Sequence, residues 1–189
     1  MQHRSLRSSS VFQWLQAQTP ISNGPAVYEL GTNHPGEIGP LSQLVSPDVV
    51  VVLNVSPAHI EYFENIDALR QEKLAIVEGL SPNGILVTVD DPDLDIPSAV
   101  DSLRFGRGPS ADVRIVEETR STVVLQTPAG RLETDIPGGG RHRAMTLAAA
   151  ATVLIALGES PGRLERIRSS SIPRGRGNQI SCGRVTLID

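Results

Sequence analysis

The sequence has little cysteine, few aromatic residues and no long apolar run. Its single cysteine, Cys182, excludes an internal disulfide and is typical of proteins in a reducing compartment. Aromatic residues make up 3% of the 189 residues, so there are few rings on which nucleic-acid bases could stack. The longest apolar stretch, residues 147–157, is too short to span a bilayer.

A strong charge of either sign is also missing. The chain has 17 basic and 21 acidic residues and a formal net charge of −4, which gives no overall indication of nucleic-acid binding. Six arginines and one acid, Glu165, lie within residues 163–184. We interpret this segment as a flexible basic loop or a phosphate-binding strip. Because it contains no aromatic residue, it does not predict a nucleic-acid partner.

The first 28 residues contain no acid and are rich in serine and arginine. That composition occurs in transit peptides, but the apolar core of a secretory signal is missing. A short helix explains the pattern better, because Ser10 is a favourable cap. The apolar residues of this predicted helix are Val11, Phe12, Trp14 and Leu15.

The first half of the chain predicts alternating strands and helices. The β-branched run at residues 49–53 suits a parallel strand that is covered on both faces. Apolar residues at helical spacing follow Pro35, and others follow Asn65. Two further strands are predicted at residues 26–30 and 85–89.

The second half of the chain predicts antiparallel strands followed by helices. Alternating residues within 112–136 indicate a small antiparallel sheet beside the main one. Residues 138–189 predict a loop, a helix of strong helix formers, a second helix near residues 162–168 and a final strand. The four carboxylates at positions 90–95 are interpreted as a solvated turn rather than a metal site.

The predicted fold is therefore a single α/β domain. Residues 1–106 form a mostly parallel sheet flanked by helices, and the small antiparallel sheet follows. In such sheets, functional side chains lie just beyond the carboxyl ends of the strands. Four residues fit that position or the crossover helix, although each alone is more often a solvated or structural residue. They are Glu29, Asn54, His59 and Lys73.

Three segments in this order resemble a known family. They are ELGTNHPGEIGPL, then SPDVVVVLNVSPAHIEYF, then Glu-Lys at Lys73. Together they resemble the central domain of the Mur ligases, most closely the class that joins D-alanyl-D-alanine to UDP-N-acetylmuramoyl-tripeptide. The resemblance implies an ATP-dependent, cytoplasmic ligase of peptidoglycan precursor synthesis that works through an acyl phosphate. Its implied partners are the UDP-muramoyl peptide and D-alanyl-D-alanine, with no nucleic acid and no membrane insertion.

The resemblance also implies roles for individual residues. Glu29, His59 and a carbamylated Lys73 would hold Mg²⁺, and Arg176 would stabilise the transferred phosphate. Four residues, of which Arg176 also has the role just given, would contact ATP. They are Asn54, His142, Arg176 and Asp189.

The sequence departs from the family in two respects. The phosphate-loop motif G-x-x-x-x-G-K-[ST] is absent, and Arg143 and Thr146 stand where the family has nucleotide-contacting Asn residues. We therefore expect a central domain truncated at both ends, with an unpaired sheet edge and no ATP hydrolysis when isolated. The predicted protein is a ligase fragment or subunit that needs the missing segments in trans. The alternatives are a non-catalytic Mur-ligase-like binding module and an inactive gene fragment.

Overall fold

The computed structural model describes residues 25–56 and 62–167, and the backbone alone of residues 179–182 and 185–188. The chain divides into two compact units. The first comprises residues 1–48 and 55–82, and the second comprises residues 49–54 and 83–189. The helix predicted at Ser10 lies outside the described residues.

The first unit contains two helices. Helix α1 spans Ile38–Val45, and helix α2 spans Ile66–Leu74 and continues into a 3₁₀ segment, Ala75–Gly79. The predicted start of α2 is confirmed. The Asn65 side chain accepts a hydrogen bond of 2.9 Å from the backbone N–H of Ala68, which is the interaction that makes asparagine a favourable cap.

Helix α1 packs against the 3₁₀ segment at a point where only glycine fits. A Cβ added at Gly79 would lie 2.1 Å from the backbone carbonyl carbon of Ser42. The fully buried Ser42 hydroxyl also donates to the carbonyl of Ile76. This close approach lets the two segments satisfy a buried polar group while excluding water.

The second unit is built on a six-stranded sheet whose spatial order follows the chain order, β1 to β6. Pairing is parallel from β1 to β4 and antiparallel from β4 to β6. Among the described strands, nothing pairs with the outer edge of β1. The strands are β1 Val49–Val52, β2 Ile85–Val89, β3 Ser102–Gly106, β4 Val113–Glu118, β5 Thr122–Thr127 and β6 Gly130–Asp135.

Helix α3, Arg141–Ala156, covers one face of this sheet. The residues that face the core recur at helical spacing and are small, so the helix axis can approach the strands closely. They pack with Phe105 and the buried residues of β4 and β5. The fully buried members of this stripe are Ala144, Ala148, Ala151 and Thr152.

A short 3₁₀ segment and a hairpin complete the described structure. Pro161–Arg166 forms the 3₁₀ segment, where the sequence predicted a helix near residues 162–168. The predicted final strand is confirmed as β8, Val185–Ile188, which pairs in antiparallel fashion with β7, Gln179–Cys182. In the described part of the chain, no helix combines the length and apolar character needed to cross a membrane.

One predicted strand is wrong, and one strand was not predicted. Residues 26–30 form no strand, and Val27 is 95% exposed, because an apolar run becomes a strand only where a neighbour pairs with its backbone. Strand β3 was not predicted. The predicted small antiparallel part is confirmed as strands β4–β6, which continue the main sheet through the β3–β4 pairing.

Candidate functional site

Glu29 lies in the irregular segment before α1. The residue is exposed, and its carboxylate has no hydrogen bond or ion pair with any residue of the described ranges. An unengaged carboxylate can accept a hard divalent cation without first breaking a protein contact. This carboxylate, free among the described residues, is consistent with the predicted role of Glu29 as one ligand of Mg²⁺.

Lys73 lies in the last turn of α2 and is half-buried. A cation is favourable there because the helix dipole is negative at its carboxyl end. No carboxylate within the described residues pairs with its ammonium group. An ammonium group cannot bind a metal ion, so Lys73 fits the predicted role only as a carbamate, whose oxygens resemble those of a carboxylate.

The loop between Glu29 and α1 is organised by two carboxylates. The first belongs to Glu37, whose Oε2 accepts the backbone N–H groups of Asn33 at 2.9 Å and His34 at 3.2 Å. The hydrogen bond from Asn33 is the main cause that lowers the pKa of the Glu37 carboxyl below its ordinary value of 4.5. Glu37 is therefore held in its charged form at the start of α1.

The second carboxylate belongs to Glu72, which is only 7% exposed. Its Oε2 accepts the N–H of Gly36 at 2.6 Å, and its Oε1 accepts those of Glu37 and Ile38, both at 2.9 Å. These are amino-terminal N–H groups of α1 that have no acceptor within the helix. Glu72 thus caps α1 from a different helix.

Sequence reasoning missed Glu72, although a signal was present. Leu69, Glu72 and Ile76 are spaced three and four residues apart, so they share one face of the helical segment. That face is otherwise apolar, and an acid on it requires a partner because a buried unpaired charge is costly. The three N–H groups of α1 supply that partner.

Asn54 and His142 lie in the second unit. Asn54 follows β1 by two residues, and His142 is the second residue of α3; both are exposed. No hydrogen bond joins them within the described residues. Gly140 precedes α3 with φ +102°, and a Cβ added there would lie 3.1 Å from the ring of His142. Gly140 therefore provides space beside the imidazole.

The two residues at the family's amide positions are turned towards the backbone. A guanidinium nitrogen of Arg143 donates to the carbonyl of Pro137. The hydroxyl of Thr146 donates to the carbonyl of His142 at 3.2 Å. An arginine side chain can only donate hydrogen bonds, and the single donor of the Thr146 hydroxyl is used in this contact.

Ion pairs support the start of α3. The carboxylate of Glu118 on β4 lies 2.8 Å from Nε of Arg141 and also pairs with Arg107. A negative group there offsets the basic residues in the first helical turn and the positive end of the helix dipole. These contacts stabilise the segment that carries His142.

The remaining polar features do not add a metal centre. An open hollow of about 670 Å³ lies over β4–β6 and is lined partly by Glu117, Glu133 and Arg131. The predicted turn near Asp91 is confirmed, since its carboxylate accepts the N–H of Asp93 at 3.0 Å. Within the described ranges, no three His, Cys, Asp or Glu side chains converge to hold a metal ion.

The described residues of the predicted site are divided between the two units. Glu29 and Lys73 fall in the first unit, and Asn54 and His142 fall in the second. Within the first unit, no described hydrogen bond or ion pair joins Glu29 to Lys73. The other three predicted site residues lie outside the described residues, and they are His59, Arg176 and Asp189.

Comparison with known proteins places these features in a family. A family profile described as "Mur ligase middle domain" matches residues 15–154. The UDP-N-acetylmuramoyl-tripeptide–D-alanyl-D-alanine ligase of Escherichia coli K12 is 34% identical over 143 residues, which cover 70% of this chain and 32% of that protein. The chain therefore spans about a third of this relative's length.

Two solved structures are similar in fold. A crystal structure of MurF from Acinetobacter baumannii gives a TM-score of 0.77 at 30% identity and covers 87% of this chain and 38% of that one. The MurF ligase of Thermotoga maritima, solved in complex with ADP, gives a TM-score of 0.70 at 27% identity. That match covers 83% of this chain and 38% of that one. The predicted family and fold class are confirmed.

Proposed function

This chain belongs to the Mur ligase family through its middle domain, and on that premise we propose that it is the central part of a D-alanyl-D-alanine-adding ligase. The similarity to the ligase of that activity from E. coli carries the proposal. In the proposed reaction, ATP phosphorylates the carboxylate of UDP-N-acetylmuramoyl-tripeptide. The amine of D-alanyl-D-alanine then attacks the acyl phosphate, and phosphate leaves. The proposed setting is peptidoglycan precursor synthesis in the bacterial cytoplasm.

The proposed roles follow the charge that the reaction develops. Negative charge builds on the phosphate groups, so Mg²⁺ and fixed cations would lower the barrier. The unengaged carboxylate of Glu29 supports its role as a magnesium ligand, with His59 and a carbamate on Lys73 as the other proposed ligands. Arg176 would stabilise the transferred phosphate. The proposed nucleotide contacts are Asn54, His142, Arg176 and Asp189.

The phosphate-loop motif does not occur within these 189 residues. Its backbone N–H groups and lysine are the main means by which such ligases hold a triphosphate. Ligation by this domain therefore requires a phosphate loop from a segment outside these residues.

One observation favours a second candidate, a non-catalytic module that binds a UDP-sugar peptide. Arg143 and Thr146 each donate to a backbone carbonyl, and neither side chain carries the NH₂ and C=O groups of the nucleotide-contacting amides that the resemblance implies at these positions. A domain that had lost its nucleotide contacts could retain its scaffold and its peptide-binding surface.

A domain exchange tests the first candidate. The central segment of the E. coli ligase would be replaced by the matching residues of this chain, and the UDP-muramoyl pentapeptide product measured by mass spectrometry. We expect product from the chimera, and none above background after Glu29→Ala or Lys73→Ala. Glu78→Ala is the matched control, since this exposed acid has no proposed role in the reaction.

Two outcomes separate the candidates. A folded chimera that forms no product contradicts the ligase proposal. Isothermal titration of the 189-residue chain with UDP-N-acetylmuramoyl-tripeptide tests the binding module, and the absence of heat at millimolar ligand would rule it out.

A further inference from the structure

We propose that Glu72 is a positioning residue of the proposed site. Its carboxylate ties helix α2, which carries Lys73, to the loop that follows Glu29. The inference rests on the proposed function, because it assigns Glu72 the task of holding together two segments that carry proposed magnesium ligands.

The contacts of Glu72 are too many and too enclosed for an incidental surface acid. Three backbone N–H groups donate to a side chain that is 7% exposed. The Thr32 hydroxyl, whose shortest hydrogen bond is to the carbonyl of His34 at 2.8 Å, lies 3.3 Å from Oε1. Each oxygen is therefore engaged, and the charge is balanced by the amino-terminal end of α1. A carboxylate held in this way fixes the loop and the helix in one arrangement.

Chain connectivity carries this constraint to both proposed ligands. Lys73 is the next residue after Glu72 on the same helix. Glu29 lies three residues before Thr32, and a segment of that length spans at most about 10 Å. Loosening the contacts of Glu72 with residues 36–38 would therefore loosen the loop that follows Glu29 from the helix that carries Lys73.

The neighbouring carboxylate cannot perform this task. Glu37 accepts N–H groups from Asn33 and His34, which belong to its own loop. Its contacts shape the loop but do not join it to α2. Glu72 is the side chain through which the helix holds three consecutive N–H groups, those of Gly36, Glu37 and Ile38.

The test compares Glu72→Gln and Glu72→Ala with Glu78→Gln in the 189-residue chain. Glu78→Gln removes the same charge from the same unit, where Glu78 is exposed and, among the described residues, accepts only from Gln43 at 3.3 Å. Two NMR measurements are made in bicarbonate buffer. The first is amide hydrogen exchange at residues 36–38, and the second is paramagnetic broadening of the Glu29 and Lys73 amide signals during titration with Mn²⁺.

We expect both Glu72 variants to accelerate exchange at residues 36–38 at least tenfold, while the amides of β4–β6 stay protected and report an intact fold. Mn²⁺ should broaden both signals in the wild-type chain. The Mn²⁺ concentration that half-broadens the Glu29 signal should rise at least fivefold in the Glu72 variants, and Glu78→Gln should change neither measurement.

Three results would overturn the proposal in distinguishable ways. Unchanged exchange in Glu72→Ala would show that other groups hold the loop. Faster exchange with an unchanged Mn²⁺ response would make Glu72 a helix cap without a positioning role. A wild-type chain whose Glu29 and Lys73 signals do not respond to Mn²⁺ would contradict the proposed function itself.

Discussion

At the scale of single residues, the buried hydroxyl groups of the described residues have hydrogen-bond partners with one exception. Ser42, Glu72 and Thr152 each contact a backbone group. Thr88 in β2 is fully buried, and its hydroxyl has no hydrogen-bond partner in the described structure. Burying a hydroxyl without a partner costs about 1–3 kcal/mol, so this position should tolerate an apolar side chain of the same shape.

Thr88→Val should therefore raise the free energy of unfolding by about 1 kcal/mol. Urea unfolding measures the change. Thr152→Val is the matched control, because its hydroxyl donates to the carbonyl of Ala148 at 2.8 Å and its loss should bring no gain. A lower stability for Thr88→Val would show that the hydroxyl has a partner in solution.

The lowered pKa of Glu37 predicts how the stability contributed by this residue changes at acidic pH. A carboxyl whose pKa is lower in the folded state contributes stability above its unfolded value of 4.5 and loses that contribution as pH falls through its folded value. Glu37→Gln should therefore be less stable than the wild type at pH 7, and the difference should shrink below pH 4.5. Unfolding curves at pH 7 and near pH 3 measure it. An equal difference at both values would contradict the prediction.

At the scale of elements, the sequence predicted what local signals control. Asn65 predicted the start of α2 because asparagine is a favourable cap. The apolar run at Ile85–Val89 forms β2 with the predicted bounds. Strand β3 was missed because it contains Arg104 and a glycine, and its two neighbouring strands impose its conformation. The buried role of Glu72 depends on N–H groups more than thirty residues away in sequence, which no local pattern reports.

The contact between α1 and the 3₁₀ segment should be intolerant of any side chain at Gly79. Gly79→Ala would place a Cβ 2.1 Å from the backbone of Ser42, and backbone cannot move away cheaply. We expect a loss of about 3 kcal/mol in urea unfolding. Gly31→Ala is the control, because nothing lies within 4 Å of its added Cβ. Equal effects at both positions would contradict the packing described here.

At the scale of the whole molecule, pattern alone could not determine how the strands combine. A two-residue alternation identifies a strand but not its neighbour, so the pattern predicted an antiparallel part beside the main sheet without the strand pair that joins them. The structure joins them to the parallel strands through a short β3–β4 pairing of two residues on each strand. The family resemblance supplied the site residues, and periodicity alone would have left each of them with a structural explanation.

The same scale decides whether the polypeptide can use ATP unaided. The proposed site retains Glu29 and Lys73, the proposed ligands of the Mg²⁺ that would balance the phosphate charge. The sequence contains no phosphate-loop motif to hold a triphosphate. We therefore expect phosphate release from Mg²⁺-ATP by the 189 residues to equal the buffer background, with or without UDP-N-acetylmuramoyl-tripeptide. Lys73→Ala should give the same value, since there is no activity to remove. Release above background that disappears in Lys73→Ala would show that the domain holds ATP by another route.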